Sequence, residues 1–152
     1  MQAKSITPFL WFESGAKAAS DYYLEVFDDA ELVDTMPGPG DEPMGVTLRL
    51  KDLTLRLFNG GPMHKLDEAF SLFVFVETQE EVDYFWDKLV DGGEPSRCGW
   101  LTDKFGVTWQ IIPEMLPDVL AGSDPEGCQR ATEAMLGMVK LDIAELQTAY
   151  DG

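Results

Sequence analysis

A short pattern occurs twice in this chain, and it limits the fold more than any other feature. Phe9-Leu-Trp-Phe-Glu13 is matched by Phe73-Val-Phe-Val-Glu77, and Asp21-Tyr-Tyr23 by Asp83-Tyr-Phe85. Each copy opens with aromatic and branched residues, the composition of a strand. Each then enters a segment whose apolar residues recur at helical spacing. These are Ala19, Tyr22, Tyr23, Val26 and Phe27 in the first copy, and Val82, Phe85, Trp86 and Leu89 in the second. Three more extended segments follow each helix. In the first copy they cover residues 30–36, 45–50 and 53–58, the last two as a hairpin. In the second they fall near residues 94–97, 99–103 and 107–112. One such βαβββ half cannot cover both faces of its own sheet, so two are expected to join edge to edge. The expected class is α+β.

Local signals set the limits of these elements. The first strand is expected over residues 6–12, and Ser14 is placed to cap the helix over residues 16–27. Thr78-Gln-Glu-Glu81 has the form of a capping box, so the second helix should begin at Gln79. The glycine-proline runs Pro37-Gly-Pro-Gly40 and Asn59-Gly-Gly-Pro62 read as loops. Beyond the repeat, Asp124-Pro125 is a helix start. Ala131, Met135, Met138, Leu141 and Leu146 predict one amphipathic helix after it, capping the core. The chain is therefore read as a single domain, 1–152. Half one covers about 5–62, half two about 68–114 and the helical extension about 124–149.

Charge narrows the partners. The chain has 152 residues, with 28 acidic against 11 basic, for a net charge of -17. Nucleic acid and an anionic membrane surface repel such a protein, so neither is expected as a partner. No stretch approaches the roughly 20 apolar residues of a membrane span. Cys98 and Cys128 are too few for a disulfide framework, and residues 1–5 are polar, so a reducing, cytoplasmic location is expected.

Longer stretches carry a family resemblance. They are Leu57-Phe-Asn-Gly-Gly-Pro62, Gln79-Glu-Glu-Val-Asp83, residues 98–113 beginning Cys98-Gly-Trp100, and Ala134-Met-Leu-Gly-Met138 with the residues up to Ile143. With two βαβββ halves, the chain resembles the PhnB-like branch of the vicinal oxygen chelate superfamily. That superfamily includes glyoxalase I, extradiol dioxygenases and the bleomycin- and fosfomycin-resistance proteins. The branch often carries the label 3-demethylubiquinone-9 3-methyltransferase. The resemblance implies that the two modules form a curled mixed-sheet cup. In metal-dependent members four inward-facing residues hold a divalent ion that chelates the substrate. Matched to that pattern, Thr7, Ser71 and Gln110 fall near three ligand positions, and the fourth lies near Leu57 or Asn59. None of Thr7, Ser71 and Gln110 is a histidine or a carboxylate, the donors such a centre requires.

The expected cup is therefore aromatic and metal-free. Strand alternation groups Thr7 with Phe9 and Trp11, Ser71 with Phe73 and Phe75, and Thr108 with Gln110. Phe9, Trp11, Phe73, Phe75 and Trp100 are expected to line the site. Asn59, Ser71, Thr108 and Gln110 would supply hydrogen bonds, and Cys98, near a strand end and within reach of Asp103 or Lys104 if the turn folds back, is a separate candidate. The only histidine, His64, is read as a solvated loop residue. The connection Glu13-Ser-Gly-Ala-Lys17 lacks the glycine-rich loop with which a doubly wound methyltransferase holds its cofactor. The expected function is binding of a small apolar or aromatic molecule, with no cofactor and with a homodimer implied by the resemblance. The alternatives are an enzyme of the superfamily (lyase, isomerase, dioxygenase or the methyltransferase-labelled activity), in which Glu13 or Glu77 would be the acid-base candidates and a divalent metal is retained, and a dimeric scaffold whose cup is filled by side chains.

Overall fold

The computed structural model describes residues 1–152, and the chain divides into two compact units, Met1–Leu66 and Asp67–Gly152. In the first, strand β1 (Phe9–Phe12) leads into helix α1 (Ala16–Val26), followed by β2 (Ala30–Met36), β3 (Gly45–Leu50) and β4 (Leu53–Asn59). The sheet order is β1-β4-β3-β2; β1 runs parallel to β4 and the other pairs are antiparallel. Leu10, Phe12, Val46, Leu48, Leu55 and Leu57 alternate onto one face and are buried. Ala16, Ala19, Ser20, Tyr23 and Val26 form the buried stripe of α1 that packs on the sheet. Burial of these side chains, at about 25 cal/mol per Å² of apolar surface, is what holds helix to sheet.

The second unit repeats the plan with β5 (Leu72–Val76), α2 (Gln79–Val90), β6 (Glu94–Pro95), β7 (Trp100–Thr102) and β8 (Thr108–Pro113). Its order, β5-β8-β7-β6, again has one parallel pair, β5 with β8. Leu72, Val76, Leu101, Trp109 and Ile111 face α2, which contributes Val82, Trp86 and Leu89. Strand β1 is shorter than the 6–12 expected. Pro8 precedes β1, leaving Thr7 outside it, and Ser71 sits just before β5.

The C-terminal segment departs from the single helix expected there. Two helices form in its place, α4 (Pro125–Gly137) and α5 (Ile143–Asp151), and a further short helix, α3 (Leu116–Ala121), precedes them. Gly137 ends α4, and Asp142 starts α5 by accepting the Glu145 N–H at 2.8 Å. The apolar stripe was real but was shared by two helices and the link between them. Ile112, Leu116, Val119, Ala131, Met138, Leu141 and Leu146 pack into one buried cluster. The link is fastened by polar contacts as well. Gln79 donates to the Leu141 carbonyl at 3.2 Å and accepts the Ile143 N–H at 2.9 Å. The N–H groups of Cys98 and Gly99 donate to the carbonyls of Met138 and Val139 at 2.9 and 2.8 Å. Lys140 pairs with Asp83 at 2.7 Å, and hydrogen bonding to that carboxylate raises the lysine pKa and lowers the aspartate's.

Candidate functional site

Each sheet has one face turned away from its helix, and those faces carry most of the residues singled out in the sequence. On the second unit, register places Phe73, Gln110 and Trp100 in one row across β5, β8 and β7. Phe75 pairs with Ile112 in the next row. Phe73 and Phe75 are 56% and 53% exposed, unusual for aromatic side chains, and their rings lie 5.9 Å apart. Gln110 donates from Nε2 to the Ser71 Oγ at 2.8 Å. That bond joins two of the residues matched to the metal-ligand pattern. It leaves the Gln110 carbonyl as an acceptor and the Ser71 hydroxyl hydrogen as a donor on an aromatic surface. Thr108 shares the face but is buried, and Ile112 belongs to the cluster formed with the C-terminal helices.

On the first unit, Phe9 and Trp11 face away from α1 beside Arg56 and Phe58 of β4. The Phe58 ring stands 5.4 Å from both Phe9 and Trp11. Trp11 is fixed at its indole end, where Nε1 donates to the Gly61 carbonyl at 2.8 Å. Gly60 admits the ring, because a Cβ there would lie 2.1 Å from Trp11 Cε2. His64 is exposed but not isolated, since its ring meets the Trp11 ring edge-on at 4.9 Å.

Other expected site residues lie elsewhere. Asn59 is on the helix side of its sheet, opposite Phe12. Its Oδ1 accepts the Ala16 N–H at 2.8 Å and its Nδ2 donates to the Pro43 carbonyl at 3.1 Å. It therefore does the capping expected of Ser14; the residue at the N-cap is Gly15, in the left-handed region at φ 88° with no side-chain bond. Leu57 is buried against α1. Neither of the two residues expected at the fourth ligand position faces the open side. Cys98 is half-buried with φ 57°, and its Sγ contacts the Met135 carbonyl at 3.5 Å. Asp103, considered as a neighbour of Cys98, is occupied in its own turn, accepting from the N–H groups of Phe105 and Val107 and from Trp109 Nε1. Glu77 and Glu13 are both exposed. Glu81 binds the backbone N–H groups of Thr78 and Glu77, which lower its pKa, and closes the capping box.

No group of three or more His, Cys, Asp or Glu side chains is gathered in either unit in a way that could hold a metal ion. No helix is long and apolar enough to cross a membrane.

Residues 4–112 match the family model described as 3-demethylubiquinone-9 3-methyltransferase. No curated protein matches the chain in sequence. Among solved structures, a putative 3-demethylubiquinone-9 3-methyltransferase (PhnB protein) from Bacillus cereus is 32% identical. It aligns over 72% of this chain and 99% of its own, with a TM-score of 0.64. Protein PA1353 from Pseudomonas aeruginosa is 21% identical over 74% of this chain and 98% of its own, at TM-score 0.61. The genomically encoded fosfomycin resistance protein of Listeria monocytogenes, solved with Mn(II) and sulfate, is 12% identical over 78% of this chain and 95% of its own, at TM-score 0.53. These last two likenesses are of fold.

Proposed function

Because the chain belongs to the PhnB-like 3-demethylubiquinone-9 3-methyltransferase family, with the fold of a fosfomycin-resistance protein, we propose that it binds a small apolar or aromatic molecule on the open faces of its sheets, without a catalytic metal. The observation that carries this reading is the Gln110–Ser71 hydrogen bond, set among Phe73, Phe75 and Trp100. A pair of neutral groups, one acceptor and one donor, among exposed rings is the composition of a small-molecule site. It is the wrong composition for a divalent centre. Thr7, Ser71 and Gln110 offer uncharged oxygens in place of the imidazoles and carboxylates that compensate such an ion. A methyl-donor cofactor fits no better. Only Glu13, Ser14 and Gly15 separate β1 from α1, and the first helical N–H, that of Ala16, is already bonded to Asn59. That connection holds a single glycine, not the glycine-rich loop with which a doubly wound methyltransferase holds its cofactor.

A homodimer in the cytoplasm completes the reading. Strand β2 is an exposed edge whose Leu32, Val33 and Met36 are each about half exposed, and an edge of that kind is stabilised by a partner. Light scattering that returned only a 16.9 kDa species would remove the dimer from the proposal.

The test of the main reading is elemental analysis of the purified protein, joined to native mass spectrometry for retained small molecules. The expected result is sub-stoichiometric zinc, iron and manganese, with an organic molecule held at up to one per chain. One equivalent of any of these metals, lost together with ligand on chelation, would overturn it.

A further inference from the structure

Strand register aligns the two halves residue by residue. Phe9 pairs with Arg56 across β1 and β4, and Phe73 pairs with Gln110 across β5 and β8. Phe9 and Phe73 open the matched runs of the repeat, so Arg56 is to the first half what Gln110 is to the second. By this register Arg56, and neither Leu57 nor Asn59, is the first-half counterpart of a residue matched to the ligand pattern. A guanidinium there repels a cation and attracts an anion.

The surroundings of Arg56 add to this. It is exposed on the open face, in a row that runs Phe9, Arg56, Thr47 and Asp34 across the sheet. The neighbouring row holds Trp11 and Phe58. Arg49, the other arginine of this face, is paired with Glu31. Arg56 has no ion-pair partner. Asp34, the acid of its row, stands two strands away, roughly 10 Å by strand spacing. A free guanidinium beside three rings can grip a planar carboxylate or sulfonate with two parallel hydrogen bonds while the rings pack on an apolar body.

We propose that the molecule bound on the open face of the first unit is a small ring-bearing organic acid, whose anionic group is held by Arg56 and whose ring lies on Phe9, Trp11 and Phe58. This rests on the reading of the open faces as ligand-binding surfaces and adds the charge of the ligand to it.

Two fluorescent probes of the same shape test it: anilinonaphthalene sulfonate, an anion, and N-phenylnaphthylamine, its neutral counterpart. Both are titrated into the full chain, into Arg56→Gln and into Arg56→Lys, with urea denaturation confirming that the variants are folded. A charge-assisted hydrogen bond is worth enough that Arg56→Gln should weaken the sulfonate about ten-fold or more. The neutral probe should change by less than about two-fold, and Arg56→Lys should recover part of the sulfonate affinity. Equal effects on both probes, or no effect on either, would overturn the role of Arg56. Binding of the neutral probe without the sulfonate would also overturn it, and would leave the apolar site standing. Exclusion of both probes, as when a second copy covers the face, would overturn the ligand-binding reading itself.

Discussion

The two halves share one plan, and the places where they differ separate what the fold requires from what the site requires. Both begin with a strand parallel to their fourth, and both bury a helix on one sheet face. Their helices start differently. Thr78 and Glu81 close a capping box within α2, whereas α1 is capped from a distance by Asn59 at the end of β4. Their last hairpins differ too. Lys51-Asp52 joins β3 to β4 in a two-residue turn, and the β7–β8 turn is built around the buried carboxylate of Asp103. A helix start or a hairpin can be secured in several ways at similar energy, so these details are free to diverge. The open faces are free in another sense. Nothing in the core needs Arg56 in one half and Gln110 in the other, and that is why their difference reads as recognition.

The largest expected effect lies in the two hairpins. Asp103 is 4% exposed and satisfies three donors, two of them in the core. Asp103→Ala would leave those donors without their acceptor, at about 1–3 kcal/mol for each one that stays buried. A loss of about 3 kcal/mol or more in urea denaturation is expected. Asp103→Asn keeps one acceptor oxygen but sets an amide N–H against Trp109 Nε1, or against the backbone donors, and should fall between. Asp52→Ala, in the exposed turn of the other half, should stay within about 0.5 kcal/mol. Equal losses at Asp103 and Asp52 would mean that the two hairpins are not held in different ways.

The helix starts come next. Asn59→Ala removes the acceptor for the Ala16 N–H and the donor to the Pro43 carbonyl, and should cost about 2 kcal/mol. Thr78→Ala removes one cap bond, with Glu81 still bonded to the backbone of Thr78 and Glu77, and should cost about 1 kcal/mol. Denaturant midpoints at an unchanged slope would measure both. A larger loss at Thr78 than at Asn59 would reverse the ranking of the two caps.

These cases also explain what the sequence made legible. The capping box spans four consecutive residues, and the helix begins at Gln79 as it predicts. The cap of α1 joins residues 43 positions apart, so Ser14, local and of the right type, was the natural expectation and the wrong one. The equivalence of Arg56 and Gln110 was hidden for a related reason. In Leu53-Thr-Leu-Arg-Leu-Phe-Asn59 the leucines mark the core face, and Arg56 looks like an ordinary solvent residue. Only its pairing with Phe9 makes it the counterpart of Gln110. That Gln110, Phe73 and Phe75 share the face turned from α2 was legible because alternation along a strand is a short-range signal. The split of the C-terminal stripe was not, because helices α4 and α5 and the link between them all feed one apolar cluster.

The smallest effect concerns a contact present in the second half alone, the pairing of Lys140 with Asp83 on α2. Hydrogen bonding to Lys140 holds the Asp83 carboxylate below its ordinary value of 3.8. A pKa lowered by folding adds stability that is fully present above the unfolded value and is lost as pH falls through the folded one. Lys140, whose pKa is raised by the same bond, adds stability below its ordinary value of 10.5 that is lost as pH rises through the folded value. Both side chains are more than a third exposed, so solvent screening keeps the pair below about 1 kcal/mol. Asp83→Asn should therefore lower stability slightly at pH 7 and flatten its decline below about pH 4. Added salt should shrink the difference from the parent chain. Gln79 still fastens the link to α2 through two hydrogen bonds in that variant, one to Leu141 and one from Ile143. If Asp83→Asn instead released the C-terminal helices, seen as protease cleavage between α4 and α5, then the ion pair and not Gln79 would be the fastening that the first half lacks.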